Sequence, residues 1–309
     1  MSSGAMAAGN PRATMAQRLR SSFHGTSWSA YLYIAPVLVA YAVFVLYPLS
    51  QTVWTGFFDW NGISVGTWVG TANYEAVLTD PLLREALVHS FTFIFYYAIL
   101  PTVIALFLVG AITRVRVRGF TTFRAILFIP QIMPSVVVAI AFRWIYDPDG
   151  PLAAIGNATG QGWLANFNLG NFDTALPALG LVGTWVEVAL CLVLFVAGAQ
   201  KIPVELFDAA RVDGAGAVRE FLAVTLPHLR GEVKIALTLT TVYALRNFDL
   251  VWVATSGGPG TSTTVPSYYV YRDAFVLHEV GQAAAMAVVL TVVIVAVVAL
   301  IQRIGGSEA

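Results

Sequence analysis

Glu187, Arg246 and Asp249 are charged residues set inside otherwise apolar stretches of this chain. An ionised group in a lipid-immersed segment costs several kcal/mol, so such residues face a cavity or a partner group. Their chemistry is hydrogen bonding and charge pairing rather than bond making. Arg246 and Asp249 lie one helical turn apart and can pair with each other. That closed pair, with Glu187 hydrogen-bonded to a neighbouring helix, is the purely structural alternative to a cavity role. Constellations that make or break bonds are absent from the sequence. It has no Gly-x4-Gly-Lys-Ser/Thr phosphate loop and no Gly-x-Ser-x-Gly elbow. His24, His89, His228 and His278 are scattered, without metal-ligand spacing. Cys191 is the single cysteine and lies in an apolar run, so no disulfide frame exists. Gly257-Gly258-Pro259-Gly260 is Gly-rich but carries no lysine, and reads as a loop.

The elements that must hold those charges are membrane spans. The chain has 309 residues, 58% hydrophobic and 11% charged. An ordinary soluble domain is about 25% charged, and a soluble particle of this size could not hide so much apolar surface. A bilayer core needs about 20 apolar residues as helix. Uncharged or nearly uncharged windows fall at Ser29–Tyr47, Ala86–Thr113, Ala125–Phe142, Ala175–Gln200, Val233–Ala254 and Val280–Gln302. The fourth is broken by Glu187, and the fifth carries Arg246 and Asp249. The expectation is an all-α polytopic membrane protein: a tail over 1–28, six spans over 29–302 with a core over 86–302, and a second tail over 303–309. Residues 1–25 show no signal-peptide pattern, so the first helix reads as retained.

The net charge of zero hides an asymmetry along the chain. Arg12, Arg18 and Arg20 precede the first span. Arg114, Arg116, Arg118 and Arg124 follow the second. Lys201, Arg211, Arg219, Arg230 and Lys234 lie between the fourth and fifth, and Arg303 ends the sixth. These are most of the 17 Lys and Arg, and all fall on one side. The opposite loops hold Arg84 and Arg272, with many acids from Asp59 to Glu279. By the positive-inside rule both termini are cytoplasmic. Arg114-Val-Arg-Val-Arg118 needs no further cause, and nothing points to nucleic acid.

The long inner segment 201–234 is the most informative. Five acids balance five bases there, so it is not a plain lipid-binding basic patch. Pro203 suits a first helical turn, and Glu205 and Asp208 favour its positive end. Leu206, Ala209 and Ala210 give one small, flat apolar face. Gly214 can stop the helix in a left-handed cap. A second amphipathic stretch, 218–225, ends at Leu226-Pro227. A short helix with an alanine face suits docking into a shallow groove; a solvated loop on lipid headgroups is the alternative.

Asp208-Ala209-Ala210, then Gly214, Val224 and Leu226-Pro227 resembles the EAA signature of binding-protein-dependent ABC importer permeases. Asp208 stands for the usual Glu, Val224 for Ile, and Gly231 where proline is common. The run from Pro203 through Asp213-Gly214-Ala215 is similar to the carbohydrate subgroup. So are Asp59-Trp60-Asn61-Gly62, Arg143-Trp144-Ile145-Tyr146-Asp147 and Thr255-Ser256-Gly257-Gly258-Pro259-Gly260. The resemblance implies a type I importer permease that is not itself an enzyme. It implies a second, similar permease subunit, two copies of a cytoplasmic ATPase docked on the inner loops, and an extracytoplasmic solute-binding protein. ATP and Mg would be used by the ATPase, with no cofactor on this chain. It implies residence in a bacterial cytoplasmic membrane. ATPase coupling would fall to Glu205, Asp208, Ala209, Ala210, Asp213, Gly214, Leu226 and Pro227. The translocation pathway would be bordered by Gln131, Trp185, Glu187, Tyr243, Asn247 and Asp249, which offer hydroxyl partners and aromatic faces to a sugar. A self-contained secondary carrier or channel is the competing class. Such carriers often carry paired repeats; no convincing repeat is present, and only the permease reading explains the inner loop.

Overall fold

The computed structural model describes residues 28–112 and 120–304. The expected basic residues Arg12, Arg18, Arg20, Arg114, Arg116 and Arg118, and most of both tails, lie outside the described residues. The described residues fall into two compact units, divided between Thr52 and Val53.

In chain order the first elements are α1 (Trp28–Tyr41), a π-helical turn at Ala42–Leu46 and α2 (Tyr47–Thr55). A short antiparallel pair follows, β1 (Phe58–Asp59) with β2 (Thr67–Trp68), and then α3 (Ala72–Thr79). α4 (Pro81–Ile94) continues through a π-helical turn at Phe95–Ile99 into α5 (Leu100–Ile112). α6 (Phe120–Ile132) and α7 (Ser135–Ile145) are followed by α8 (Pro151–Thr159) and α9 (Gly162–Ala165). α10 (Ala175–Ala199) is a long straight run of apolar sequence. α11 (Val204–Val212), α12 (Ala217–Glu220), a π-helical turn at Phe221–Thr225 and α13 (Leu226–His228) form the inner segment. α14 (Arg230–Leu245), α15 (Asp249–Ala254), α16 (Pro266–Phe275) and α17 (Val280–Ile304) complete the chain.

Among the described residues, four helical stretches are long and apolar enough to cross a bilayer: Tyr31–Thr55, Pro81–Ala111, Ala175–Ala199 and Val280–Ile304. The expected third and fifth spans differ from simple helices. The third is α6 and α7, bent by 112° at Met133-Pro134, and it makes a fifth crossing when the bent pair counts as one span. Pro134 disfavours helix at Met133 and supplies no N–H. The expected fifth span breaks at Arg246–Phe248 into α14 and α15. Sixteen residues of α14 rise only about 24 Å at 1.5 Å per residue, and polar side chains crowd the break.

The three π-helical turns share one cause. In each, the residue after the turn donates its N–H five residues back: Tyr47 to Ala42, Leu100 to Phe95 and Leu226 to Phe221. In each, the next residue is proline: Pro48, Pro101 and Pro227. A helical proline donates no hydrogen bond, and its ring collides with the carbonyl four residues earlier. Widening the preceding turn moves that carbonyl aside and keeps the helix continuous.

α10 is the central element. Phe93, Tyr97, Leu179, Val182 and Val251 form one buried cluster, and Val109, Leu192, Phe195 and Leu229 another. Small residues let α10 take large neighbours closely, as is usual between membrane helices. A β-carbon at Gly180 would strike the Tyr96 ring, and one at Gly183 the Tyr97 ring. Thr184 Oγ1 donates to the Tyr96 carbonyl at 2.7 Å, inside the π-helical turn.

Candidate functional site

A cavity of about 370 Å³ lies where α7, α10 and the α14–α15 break meet the π-helical turn of the second span. It brings together Gln131, Glu187, Tyr243, Asn247 and Asp249 from the sequence-derived set. Trp185 is not among the lining residues. It sits two residues from Glu187, about 200° around the helix at 100° per residue, and packs on Phe142 with ring centres 5.4 Å apart.

The break between α14 and α15 explains how Asn247 and Asp249 reach the cavity. Arg246 caps the C-terminus of α14, Phe248 precedes α15, and Asp249 opens it. The one-turn spacing expected for Arg246 and Asp249 therefore does not exist, and among the described residues no ion pair joins them. Asp249 Oδ2 instead accepts from Ser135 Oγ at 2.8 Å, at the start of α7. Asn247 Nδ2 donates to Tyr97 Oη at 3.0 Å, and the Asn247 carbonyl accepts from Ser267 Oγ at 2.5 Å.

Glu187 is 5% exposed. Its Oε2, and Oε1 of Gln131, are buried oxygens with no hydrogen-bond partner among the described residues. Both residues line this cavity. An unpartnered buried oxygen costs about 1–3 kcal/mol, a cost that a bound hydroxyl-bearing solute would relieve. Tyr97 was not singled out in the sequence, where it is one aromatic in the run Phe93–Tyr97. Pro101 four residues on is the signal that marks its turn as π-helical.

The 201–234 segment lies at the other end of α10 and α14. Pro203 is the N-cap of α11, with φ −59° and ψ 135°, rather than a residue of its first turn. Glu205 occupies that turn. α11 buries none of its residues, and Val204 and Val212 are 62% and 88% exposed. Asp213 caps the helix, and Gly214 has φ +76°. Gly214 N–H donates to Arg211 O at 3.0 Å and Ala215 N–H to Ala210 O at 2.9 Å. These are the paired bonds of a Schellman cap, which glycine makes without strain. Asp208 pairs with Arg211 at 3.5 Å, and Arg211 Nε reaches the buried Glu220 at 3.2 Å. Leu226 and Pro227 begin α13 after the π-helical turn. Thr225 O accepts from Leu229 N–H at 3.1 Å, so the loop's second helix runs on towards α14. Glu220 and Arg211 carried no sequence signal as a pair, being nine residues apart across a glycine turn.

The family described as binding-protein-dependent transport system inner membrane component matches residues 109–305. The chain belongs to this family. The chain is 33% identical over 294 residues to the diacetylchitobiose uptake system permease protein NgcF of Streptomyces coelicolor, covering 88% of this chain and 81% of that protein. It is 31% identical over 269 residues to the multiple sugar-binding transport system permease protein MsmF of Streptococcus mutans, covering 86% and 91%. A crystal structure of a bacterial ABC transporter involved in the import of the acidic polysaccharide alginate shares its fold, with a TM-score of 0.74 at 19% identity over 93% of this chain and 98% of that one. The binding-protein-dependent permease is thus a mostly helical, multi-pass membrane protein.

Proposed function

We propose that this permease is a transmembrane subunit of an ATP-driven importer of a carbohydrate, a sugar, oligosaccharide or glycerol-phosphate-like solute. The observation that carries the proposal is the cavity, which gathers Gln131, Glu187, Tyr243, Asn247 and Asp249 on the chain of a sugar-permease relative. In this reading the chain crosses the bacterial cytoplasmic membrane six times, with both termini and the 201–234 loop in the cytoplasm. The bent third span and the broken fifth count as crossings, and their breaks are the walls of the cavity. A second, homologous permease subunit closes the other side. An extracytoplasmic binding protein delivers the solute.

The α11 helix docks on one copy of a cytoplasmic ATPase dimer. ATP and Mg are used there, and this chain binds no cofactor. Glu205, Asp208, Ala209, Ala210 and Asp213 form the docking helix. Gly214 sets the elbow, and Leu226-Pro227 passes the motion into α14. The exposed face of α11 and the Schellman elbow support this assignment. The test is co-expression with a candidate binding protein, second permease and ATPase. A complex that hydrolyses ATP faster with its sugar-loaded binding protein is the expected result. Uptake driven by an ion gradient without any ATPase would contradict the proposal.

A further inference from the structure

Phe248 lines the cavity at the break of the fifth span, and its ring does not stand alone. Phe248 stacks on Trp252 with centroids 6.0 Å apart and planes 14° apart. Tyr271 lies 5.3 Å from Phe248 and 4.7 Å from Trp252. Phe275 lies 5.4 Å beyond Tyr271. The four rings make a continuous row along α15 and α16, on the side of the fold away from the inner loop. None belongs to a buried core cluster. Phe248, Trp252 and Tyr271 are half-buried, and Phe275 is 70% exposed. The row therefore runs from an exposed ring down to the cavity wall.

What sets this row apart from the other exposed apolar side chains of the molecule is its continuity with the cavity, which Phe248 lines. Aromatic rings carry a negative face that attracts weakly positive C–H groups. The C–H face of a pyranose or furanose ring fits that surface, while its hydroxyls remain free for Asn247 and Asp249 beside Phe248. Resting on the importer reading above, we infer that Phe248, Trp252, Tyr271 and Phe275 form a stacking track that guides ring-bearing saccharides from the outer side into the cavity. An acyclic solute such as glycerol 3-phosphate has no ring to stack and gains nothing from it.

The test uses the assembled importer in proteoliposomes with arabinotriose, N,N′-diacetylchitobiose and glycerol 3-phosphate as probes. Trp252→Leu and Tyr271→Leu keep apolar volume but remove the ring; Trp252→Phe and Tyr271→Phe keep a ring. The expected result is normal complex yield in all four. Both Leu variants should take up the saccharide that the wild type transports about tenfold more slowly at low concentration, and both Phe variants should restore most of that loss. Wild-type uptake in the Leu variants overturns the track. So does loss of complex yield in the Leu variants, which would make the row a packing surface for the second permease. Wild-type transport of glycerol 3-phosphate alone overturns the track and leaves the importer reading standing. Uptake of the saccharide by the wild type without ATP hydrolysis overturns the importer reading itself.

Discussion

Asn247 donates from Nδ2 to the Tyr97 hydroxyl at 3.0 Å, joining the break in the fifth span to the π-helical turn of the second. Both residues are buried and line the cavity. Tyr97→Phe leaves the Asn247 amide short of a partner, at about 1–3 kcal/mol. We expect solute uptake to fall roughly tenfold, since about 1.4 kcal/mol is a factor of ten, while the complex still assembles. Uptake and complex yield measured side by side check this; unchanged uptake would remove Tyr97 from the cavity's working surface.

The seat of Tyr97 is Gly183, where a β-carbon would strike the ring. Gly183→Ala must push Tyr97 or α10 aside, and overpacking of this kind costs about 1–3 kcal/mol. Gly231 has open space around it, so Gly231→Ala is a matched control. Thermal melting of the detergent-solubilised complex should fall for Gly183→Ala and hold or rise for Gly231→Ala. Equal melting temperatures would show that Tyr97 yields freely.

Pro101 fixes the turn that carries Tyr97. Pro101→Ala restores an N–H and removes the ring clash, which permits a regular α-turn. Taking one residue out of the π-helical turn rotates the preceding side chains by about 100°. A cysteine at Tyr97 in a Cys191→Ser background should then lose its protection against, or reactivity with, a thiol reagent delivered through the cavity when Pro101→Ala is added. The same labelling rate with and without Pro101→Ala would contradict the proline origin of the π-helical turn.

Glu187→Gln and Asp249→Asn separate a solute role from a packing role. Each keeps shape and removes charge. As cavity groups they should lower uptake and leave assembly and basal ATPase activity near wild type. As structural partners they should lower the amount of complex, because a buried group loses its counterpart. Full uptake at full yield in both would move the solute path elsewhere.

Much of this arrangement is legible in the sequence. The helical, multi-pass class follows from apolar windows. The end of α11 follows from Gly214, because only a residue tolerant of positive φ fits there. The convergence of Gln131, Glu187, Tyr243, Asn247 and Asp249 was approachable from polar residues in apolar spans. The breaks were not. Hydropathy averages over a window, so the breaks at Met133-Pro134 and Arg246–Phe248 disappear into windows that read as continuous spans. Arg246 and Asp249 look like a one-turn pair only if the helix between them is continuous. Trp185 lies outside the cavity lining because it points about 200° around α10 from Glu187. Tyr97 and Glu220 depend on tertiary partners far along the chain, which residue spacing does not encode.

We propose that the 201–234 loop couples ATP hydrolysis on a partner to solute passage through this chain. Gly214 sits at φ +76° with open space where a β-carbon would go, so a substitution there acts through backbone strain, of order 1 kcal/mol or more, and through what it presents to the partner. The most direct measurement is the ATPase activity of proteoliposomes holding the whole complex, with and without solute-loaded binding protein, for wild type and Gly214→Asp. If the loop carries this coupling, the wild type is stimulated, and the Gly214→Asp complex assembles in the membrane yet shows no stimulation and no uptake. Normal stimulation by the Gly214→Asp complex would contradict it.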